Sequence, residues 1–143
     1  MRISTKGRYG LRALIDIAAC AQDGRVTLKS VAARQGLSEN YLEQIIATLK
    51  KAGFVKSVRG AGGGYSLNCD PADISVANVL RALEGPLYPV ECLSDDDKTA
   101  CGSVDCDSCV TRPLWEKIYA SLNHILESVS LEDLLKDYQS SIS

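Results

Sequence analysis

The segment Thr27–Leu67 reads TLKSVAARQGLSENYLEQIIATLKKAGFVKSVRGAGGGYSL, and it determines the fold. Apolar residues recur in it at helical spacing, which predicts two helices, Leu28–Gln35 and Glu39–Ala52, joined by a tight turn at Gly36. Two short helices joined in this way are typical of a helix-turn-helix, in which the second is the recognition helix. The apolar positions of this recognition helix are Leu42, Ile45, Ile46 and Leu49.

The residues after the recognition helix predict a two-stranded ribbon. Phe54–Val58 alternates apolar and polar side chains, and Tyr65–Leu67 resumes the pattern after the glycine-rich run Arg59–Gly64. A ribbon that directly follows a helix-turn-helix makes a winged helix. Glycines allow a close approach to a phosphate backbone, and Arg59 suits a narrow minor groove. A nucleotide-binding P-loop is excluded because no Lys-Ser/Thr pair follows the glycines.

Further helices are predicted on both sides of the winged helix. Upstream, apolar spacing predicts a helix over Lys6–Ala21. Downstream, Ser75 can cap a helix over Val76–Leu83, and Thr111 can cap a long helix. A short final helix, Leu131–Tyr138, precedes a tail that we expect to be frayed. The predicted fold class is mainly α with a small β wing: a winged helix-turn-helix plus a long C-terminal helix.

The long helix after Thr111 carries a broad apolar stripe. Its members are Leu114, Trp115, Ile118, Tyr119, Leu122, Ile125, Leu126 and Val129. A long amphipathic helix outside a small winged helix has little of its own domain to pack against. Packing against a second copy would give a twofold homodimer with two recognition helices about one DNA turn apart. Packing back on the first helix of the same chain is the alternative, and both can hold.

Charge is distributed unevenly along the chain. Residues 1–60 contain 11 Lys/Arg and 4 Asp/Glu, a net of +7, whereas residues 61–143 contain 5 and 14, a net of −9. The two halves sum to the formal charge of −2. A basic half on an acidic protein is expected of a nucleic-acid binder with a separate regulatory half, although charge alone does not require a partner.

The sequence also narrows the location and class of the protein. The N-terminus has no apolar signal core, and the most apolar stretch, ALIDIAACA, is interrupted by Asp16 and is too short to span a membrane. We therefore expect a cytoplasmic protein with no membrane partner. No paired carboxylates, no nucleophile with a base and no phosphate loop are apparent, so we expect neither an enzyme nor a small-molecule substrate.

The segment Cys92–Cys109, CLSDDDKTACGSVDCDSC, holds four of the six cysteines. It is acidic and almost free of large apolar residues, so it cannot form a core of its own. Eight residues separate Cys92 from Cys101, four separate Cys101 from Cys106, and two follow before Cys109. Clustered thiolates in a cytosolic chain favour soft metals. Only one close pair is present, whereas structural zinc sites usually show two, so the spacing favours an iron–sulfur cluster over zinc and over thiol switching without excluding either.

With these residues collected, the chain resembles the IscR-type family of bacterial transcription regulators over essentially its whole length. The matching segments are Ser4–Ala18 (STKGRYGLRALIDIA), Leu37–Val55 (LSENYLEQIIATLKKAGFV), Ser57–Leu67 (SVRGAGGGYSL), Ile74–Gly85 (ISVANVLRALEG) and Ser108–Trp115 (SCVTRPLW). The resemblance implies a dimeric winged-helix regulator that binds double-stranded DNA and carries an iron–sulfur cluster, most often 2Fe–2S.

The resemblance also implies which residues hold that cluster. By position, the ligands are Cys92, Cys101 and Cys109. Family members of the IscR type use a histidine as the fourth ligand, but Arg112 occupies that position here and cannot bind iron. Other relatives use an acidic residue near the partner's N-terminus, where this chain has Arg8. Cys106 is the strongest local candidate for the fourth ligand; the alternatives are an acid or solvent.

The DNA contacts implied by the resemblance lie on the recognition helix and the wing. They are Tyr41, Glu43, Gln44 and Arg59. In related proteins the residue matching Glu43 helps to distinguish classes of DNA site, which is reasonable because a carboxylate repels phosphate and accepts only certain base donors. Ser38 and Asn40, on the same polar face, complete the candidate set. A solvated helix face would explain this polar row without any partner.

These observations predict three parts and one principal function. The parts are a winged helix-turn-helix DNA-binding domain at 1–85, a cluster-binding loop at 86–111, and a dimerisation helix with a short helix at 112–143. The expected function is transcription regulation that senses cluster status and controls cluster-biogenesis genes. A zinc-bound or thiol-switched regulator of sulfur and cysteine metabolism, of the CymR type, is one alternative. A cluster carrier whose basic half docks an acidic partner is another.

Overall fold

The computed structural model describes residues 2–21, 24–94 and 108–142. This part of the chain is mainly helical, with one small antiparallel sheet of strands β1 and β2 and a 3-10 turn on each side of α4. In chain order the elements are α1 (Thr5–Cys20), α2 (Leu28–Gln35), α3 (Glu39–Lys51), β1 (Val55–Val58), β2 (Gly64–Leu67), α4 (Val76–Glu84), α5 (Arg112–Ser128) and α6 (Leu131–Ile142). The predicted fold class, a winged helix-turn-helix with a long C-terminal helix, is confirmed.

A hydroxyl group begins each of the first four helices. Ser4, Thr27, Ser38 and Ser75 each accept a hydrogen bond from the backbone N–H three residues on, over 3.1 to 3.3 Å. These bonds satisfy N–H groups that have no partner within the helix. Gly36 ends α2 with φ 67°, a left-handed conformation that glycine adopts without strain, and this sharp turn separates α2 from α3.

The main core lies between α1 and the helix-turn-helix. Leu14 and Ile17 of α1 are completely buried, and so are the apolar residues of α3 that face them. Val55 of β1 and Leu131 of α6 belong to the same cluster. Since these apolar residues of α3 are all on one side of the helix, its opposite side is left for polar groups.

The two C-terminal helices pack back on the first part of the chain. Leu122 and Leu126 of α5 lie against a second apolar cluster that includes Leu80 of α4. At the junction of α5 and α6 the N–H of Val76 donates to the carbonyl of Val129 over 2.9 Å, and that of Leu131 donates to the carbonyl of Ile74 over 2.8 Å. One face of α5 therefore packs within its own chain, but chiefly on α4 and not on the first helix as the intrachain alternative had it.

A buried carboxylate fastens α2 to α1. Asp16 is 1 % exposed, and both of its oxygens accept hydrogen bonds from Arg34, the shortest over 2.7 Å. Nε2 of Gln35 donates to the same carboxylate over 2.8 Å. The hydrogen bonds that Arg34 donates to Asp16 raise the pKa of the Arg34 guanidinium above its ordinary value. Such a carboxylate is tolerated inside a core because its acceptor sites are occupied.

Two details of the C-terminal prediction were wrong. The last helix continues to Ile142 instead of ending at Tyr138, so residues expected to fray are helical. Its start is fixed by a reciprocal capping box, since Ser130 and Asp133 each accept the other's backbone N–H. Thr111 is the N-cap residue of α5, as predicted, but its side chain makes no cap hydrogen bond, and its hydroxyl lies beside the thiol of Cys109. No helix in the described ranges is long and apolar enough to cross a membrane.

Replacing the buried carboxylate should destabilise the fold strongly. Asp16→Ala removes a buried acceptor that Arg34 and Gln35 share; because the Arg34 side chain is 39 % exposed and can be rehydrated, we expect a loss of about 2 kcal/mol in free energy of unfolding. The measurement is a urea unfolding curve at one fixed protein concentration. Glu127→Ala is the control, because it breaks an ion pair with Arg81 in which both side chains are substantially exposed, and it should cost at most about 1 kcal/mol. Equal losses in the two variants would contradict a central role for Asp16.

Candidate nucleic-acid interface and cysteine site

The recognition helix α3 has two chemically distinct faces. Its apolar face is buried in the core, whereas Asn40, Glu43 and Gln44 are exposed on the other side. Side chains three and four residues apart share a helix face, so these three form one row. Ser38, the remaining polar candidate, is exposed, but its hydroxyl already accepts the N–H of Tyr41 as the helix cap. The row offers a carboxylate and two amides, groups that can hydrogen-bond to base edges.

Tyr41 is held from the side by α1. Its ring meets that of Tyr9 edge-on, with centroids 6.2 Å apart and planes at 89°. The guanidinium of Arg12 lies 5.4 Å from the centroid of the Tyr9 ring, and its Nε donates to Oε1 of Gln35 over 3.1 Å. Aromatic and cation–π contacts of this kind favour particular ring orientations. Tyr41 is therefore half-buried and fixed in direction, unlike the exposed Glu43 and Gln44.

The ribbon of β1 and β2 places Arg59 at its turn. The strands pair antiparallel from Val55 opposite Leu67 to Val58 opposite Gly64, so Arg59 is the first residue beyond the ladder. The tip closes with a hydrogen bond of 3.0 Å from the N–H of Gly63 to the carbonyl of Gly60. An open cleft of about 530 Å³ separates this wing from the start of α2. A cation and exposed backbone N–H groups are the usual contacts to phosphate oxygens.

The structure describes two of the four candidate cluster ligands. Cys92 is 5 % exposed and lies in the 3-10 turn Glu91–Leu93, so it is more enclosed than a freely solvated loop cysteine would be. Cys109 is half-buried just before α5. Cys101 and Cys106 lie outside the described residues. Nη1 of Arg112 donates to the carbonyl of Cys92 over 3.3 Å, which ties this turn to the start of α5, next to Cys109.

Cys109 lies in a setting that favours its thiolate. Its sulfur is 3.3 Å from the hydroxyl of Thr111, and hydrogen bonding from that hydroxyl lowers the pKa of the Cys109 thiol most. The backbone N–H groups of Thr111 and Arg112 and the charge of Arg112 lower it further. A thiolate is the form that binds metals and reacts with oxidants, so the site suits either role.

The described donors fit a cluster in part. A thiolate-favouring Cys109 and the enclosed Cys92 are suitable sulfur donors, and Arg112 connects their two segments. Within the three described ranges, no group of three or more His, Cys, Asp or Glu side chains is close enough to hold a metal ion. A complete ligand set would therefore need residues from 95–107.

The outer face of α5 carries exposed apolar side chains. Leu114, Ile118 and Ile125 are 52 %, 39 % and 59 % exposed, although each is a large aliphatic residue. Their spacing of four and seven residues puts them on one face, together with the small Ser121. The apolar stripe of α5 is therefore divided, with one side packed on α4 and the other open to solvent.

Several residues that shape these sites were not predicted from the sequence. Tyr9 and Arg12 were read only as part of an amphipathic helix, and the contact with Tyr41 joins positions distant in the chain. Thr111 was assigned to capping, although its hydroxyl two residues after Cys109 is a possible thiol partner. Arg25, whose guanidinium donates to the carbonyl of Ala61 in the wing, gave no signal beyond its charge.

Comparison with known proteins identifies the family. The model of the Rrf2 family, described as iron-dependent transcriptional regulators, matches residues 3–137. The transcriptional regulator CymR of Bacillus subtilis is 44 % identical over 134 residues, which cover 94 % of this chain and 89 % of that protein. The transcriptional regulator IscR of Photobacterium profundum is 40 % identical over 141 residues, covering 96 % of this chain and 77 % of that protein.

Solved structures show the same relationship. CymR, the global cysteine regulator of B. subtilis, superposes with a TM-score of 0.77 at 43 % identity and covers 95 % of this chain and 97 % of that one. IscR of T. potens gives a TM-score of 0.77 at 45 % identity, covering 99 % of this chain and 90 % of that one. Relatives named IscR and CymR are thus about equally similar to this chain. The resemblance seen in the sequence is confirmed, and the chain belongs to the Rrf2 family of transcriptional regulators.

Proposed function

We propose that this protein regulates transcription as a DNA-binding homodimer whose action depends on an iron–sulfur cluster held by the loop after α4. The observation that carries the DNA-binding part is the division of α3 into a buried apolar face and an exposed polar row. The family description, iron-dependent transcriptional regulator, supports the link to iron. The expected targets are genes of cluster biogenesis, as the resemblance implies.

In the proposed DNA interface, the recognition helix would recognise the base sequence and the wing would position the protein on the DNA. Asn40, Glu43 and Gln44 can reach base edges in a major groove, with Tyr41 beside them. Arg59 at the wing tip would contact the backbone or a narrow minor groove. Ser38 would act through its exposed position at the start of α3, where backbone N–H groups favour a phosphate. Residues 1–85, which hold these side chains, form the proposed DNA-binding part.

The exposed apolar face of α5 supports the homodimer. Exposed aliphatic side chains aligned on one helix face are stabilised when a second copy covers them. The adjacent face of α5 packs on α4 of the same chain, so a dimer contact would be rigidly connected to the winged helix. We accordingly propose that residues 112–143 serve dimerisation and residues 86–111 serve cluster binding.

The cluster ligands would be Cys92, Cys101 and Cys109, with Cys106 as the fourth. When bound, a 2Fe–2S cluster supplies a redox-active and oxygen-sensitive group whose loss frees the thiolates. In this chain Arg112 holds the Cys92 segment to the start of α5, and Thr111 stabilises the thiolate of Cys109. Cluster binding would order the loop beside the dimer helix and shift the population of DNA-binding conformations. By linkage, DNA would in turn change cluster affinity.

A second candidate function is supported by the same cysteine. The protein would be a zinc-bound or thiol-switched regulator of sulfur and cysteine metabolism, in the manner of the cysteine regulator CymR. The thiolate-favouring setting of Cys109 suits oxidation as well as metal binding. Metal analysis separates the two functions.

Substitutions on the wing and on α3 should alter DNA binding in different ways. Arg59→Ala should weaken binding to all sites about tenfold and reduce the salt dependence of affinity by about one charge, because a non-specific contact is lost. Glu43→Ala, the matched variant on α3, should instead widen the range of sites bound, since the carboxylate discriminates among base edges. Fluorescence anisotropy with a panel of duplexes measures both. If Arg59→Ala leaves DNA affinity unchanged, Arg59 does not contact DNA. If Glu43→Ala leaves the site preference unchanged, Glu43 does not contribute to sequence specificity.

Protein purified without oxygen should carry the cluster. We expect visible bands of the 2Fe–2S type with iron and sulfide near two each per chain, the composition of that cluster. Cys109→Ala should lose both the bands and the iron while remaining folded by circular dichroism. Cys69→Ala is the control, because Cys69 is exposed and lies outside the loop, and it should retain the cluster. Zinc in a colourless protein would instead support the second candidate function.

A charge on the open face of α5 should dissociate the dimer. Ile118→Glu would bury an unpaired carboxylate in each half of the contact, so we expect the dimer dissociation constant to rise about a hundredfold or more. Ala120→Glu introduces the same group on an exposed position away from the apolar face and should leave the dimer intact. Sedimentation velocity over a concentration series measures both. A dimeric Ile118→Glu protein would place the interface elsewhere.

A further inference from the structure

The wing is joined near its turn, at Tyr65 of β2, to the segment that precedes α2. The N–H of Val26 donates to the carbonyl of Tyr65 and the N–H of Tyr65 donates to the carbonyl of Val26, each over 2.8 Å. This isolated β-bridge attaches the segment before α2 to the free edge of β2. It also places Arg25, the preceding residue, alongside the glycine-rich turn.

The side chain of Arg25 lies along the glycine-rich turn, from Gly64 to Gly60. A Cβ added at Gly64 would lie 2.8 Å from the carbonyl oxygen of Val26 and 3.1 Å from both Cβ and Cδ of Arg25. A Cβ added at Gly60 would collide with the guanidinium of Arg25. The same guanidinium donates a hydrogen bond to the carbonyl of Ala61. Arg25 therefore occupies the space that side chains at positions 60 and 64 would need.

In the described structure, the tip of the wing at Gly62 and Gly63 makes few packing contacts. Gly62 and Gly63 have φ values of 87° and 61°, and a Cβ at either position would meet nothing within 4 Å. These glycines supply the turn conformation but no packing, and glycine loses more conformational entropy on ordering than any other residue. The guanidinium of Arg25 is the side-chain group that donates a hydrogen bond to this turn from outside the ribbon in the described structure.

We propose that Arg25 is a positioning residue for the wing: it fixes the turn so that Arg59 is presented to DNA in one direction. This inference rests on the proposed contact of Arg59 with DNA. The side chain acts through the carbonyl of Ala61 and the backbone at Gly60, so ordering of the turn precedes binding and lowers its entropic cost. Arg25 itself is only half exposed and is not assigned a base contact.

A double-mutant cycle with Arg59 tests the proposal. Arg25→Met keeps a long apolar side chain but removes the donor, and it should weaken DNA binding about fivefold, the effect of one lost positioning hydrogen bond. In the Arg59→Ala background the same change should cost less than about twofold, because the residue that Arg25 positions is absent. Lys56→Met, which removes a charge from an exposed position on β1, is the control and should have the same effect in both backgrounds. Fluorescence anisotropy at one salt concentration measures all the affinities.

A second measurement reports on the turn without DNA. The backbone amide order parameters of Gly62 and Gly63 should fall below about 0.6 in Arg25→Met and stay unchanged in Lys56→Met. Additive affinity losses for Arg25 and Arg59 would overturn the proposal and make Arg25 an independent phosphate contact. Unchanged order parameters would also overturn it. Arg59→Ala with full DNA affinity would instead refute the proposed wing contact on which the inference rests, so the two failures are distinguishable.

Discussion

The position of the helix-turn-helix depends on the hydrogen bonds made by the buried carboxylate of Asp16. This carboxylate receives Arg34 and Gln35 from the end of α2, and so it fixes the helix-turn-helix to α1 by directional bonds as well as by apolar packing. Gln35 also accepts from Arg12, which lies over the ring of Tyr9. A continuous chain of contacts thus runs from the core to Tyr41 on the recognition helix. Hydrophobic burial alone would hold α2 in place without fixing its rotation so closely.

The start of α1 is linked to the start of the cysteine loop in a similar way. Glu84, the last residue of α4, accepts the backbone N–H of Ser4, and its carboxylate lies against Gly7 so closely that a Cβ there would collide with it. A carboxylate at a helix N-terminus is stabilised by the helix dipole. Glu84 thus joins the end of α4 to the start of α1, the helix that supports Tyr41.

The sequence predicted elements set by local patterns and missed contacts set by distant ones. The bounds of α2 followed from Thr27 and Gly36, whose capping roles are local, and the apolar face of α3 followed from its spacing. The length of α6 was underestimated, because serines near a terminus were taken as frayed although the helix continues through them. The hydroxyl of Thr111 was assigned to helix capping, because the sequence alone does not show whether a hydroxyl bonds to a helix N-terminus or to a nearby thiol. Arg25 could not have been found, since its target lies in the wing and no spacing rule connects the two positions.

The position of Leu131 in the main core has a consequence for how the protein is made. This side chain is 1 % exposed and packs in the same cluster as Leu14 and the buried face of α3. A nascent chain of which only the winged helix has emerged from the ribosome therefore lacks Leu131, a residue of its hydrophobic core. The helix-turn-helix therefore completes its packing only after residue 131 has emerged, and by then the cysteine segment, which precedes it in the chain, has been synthesised.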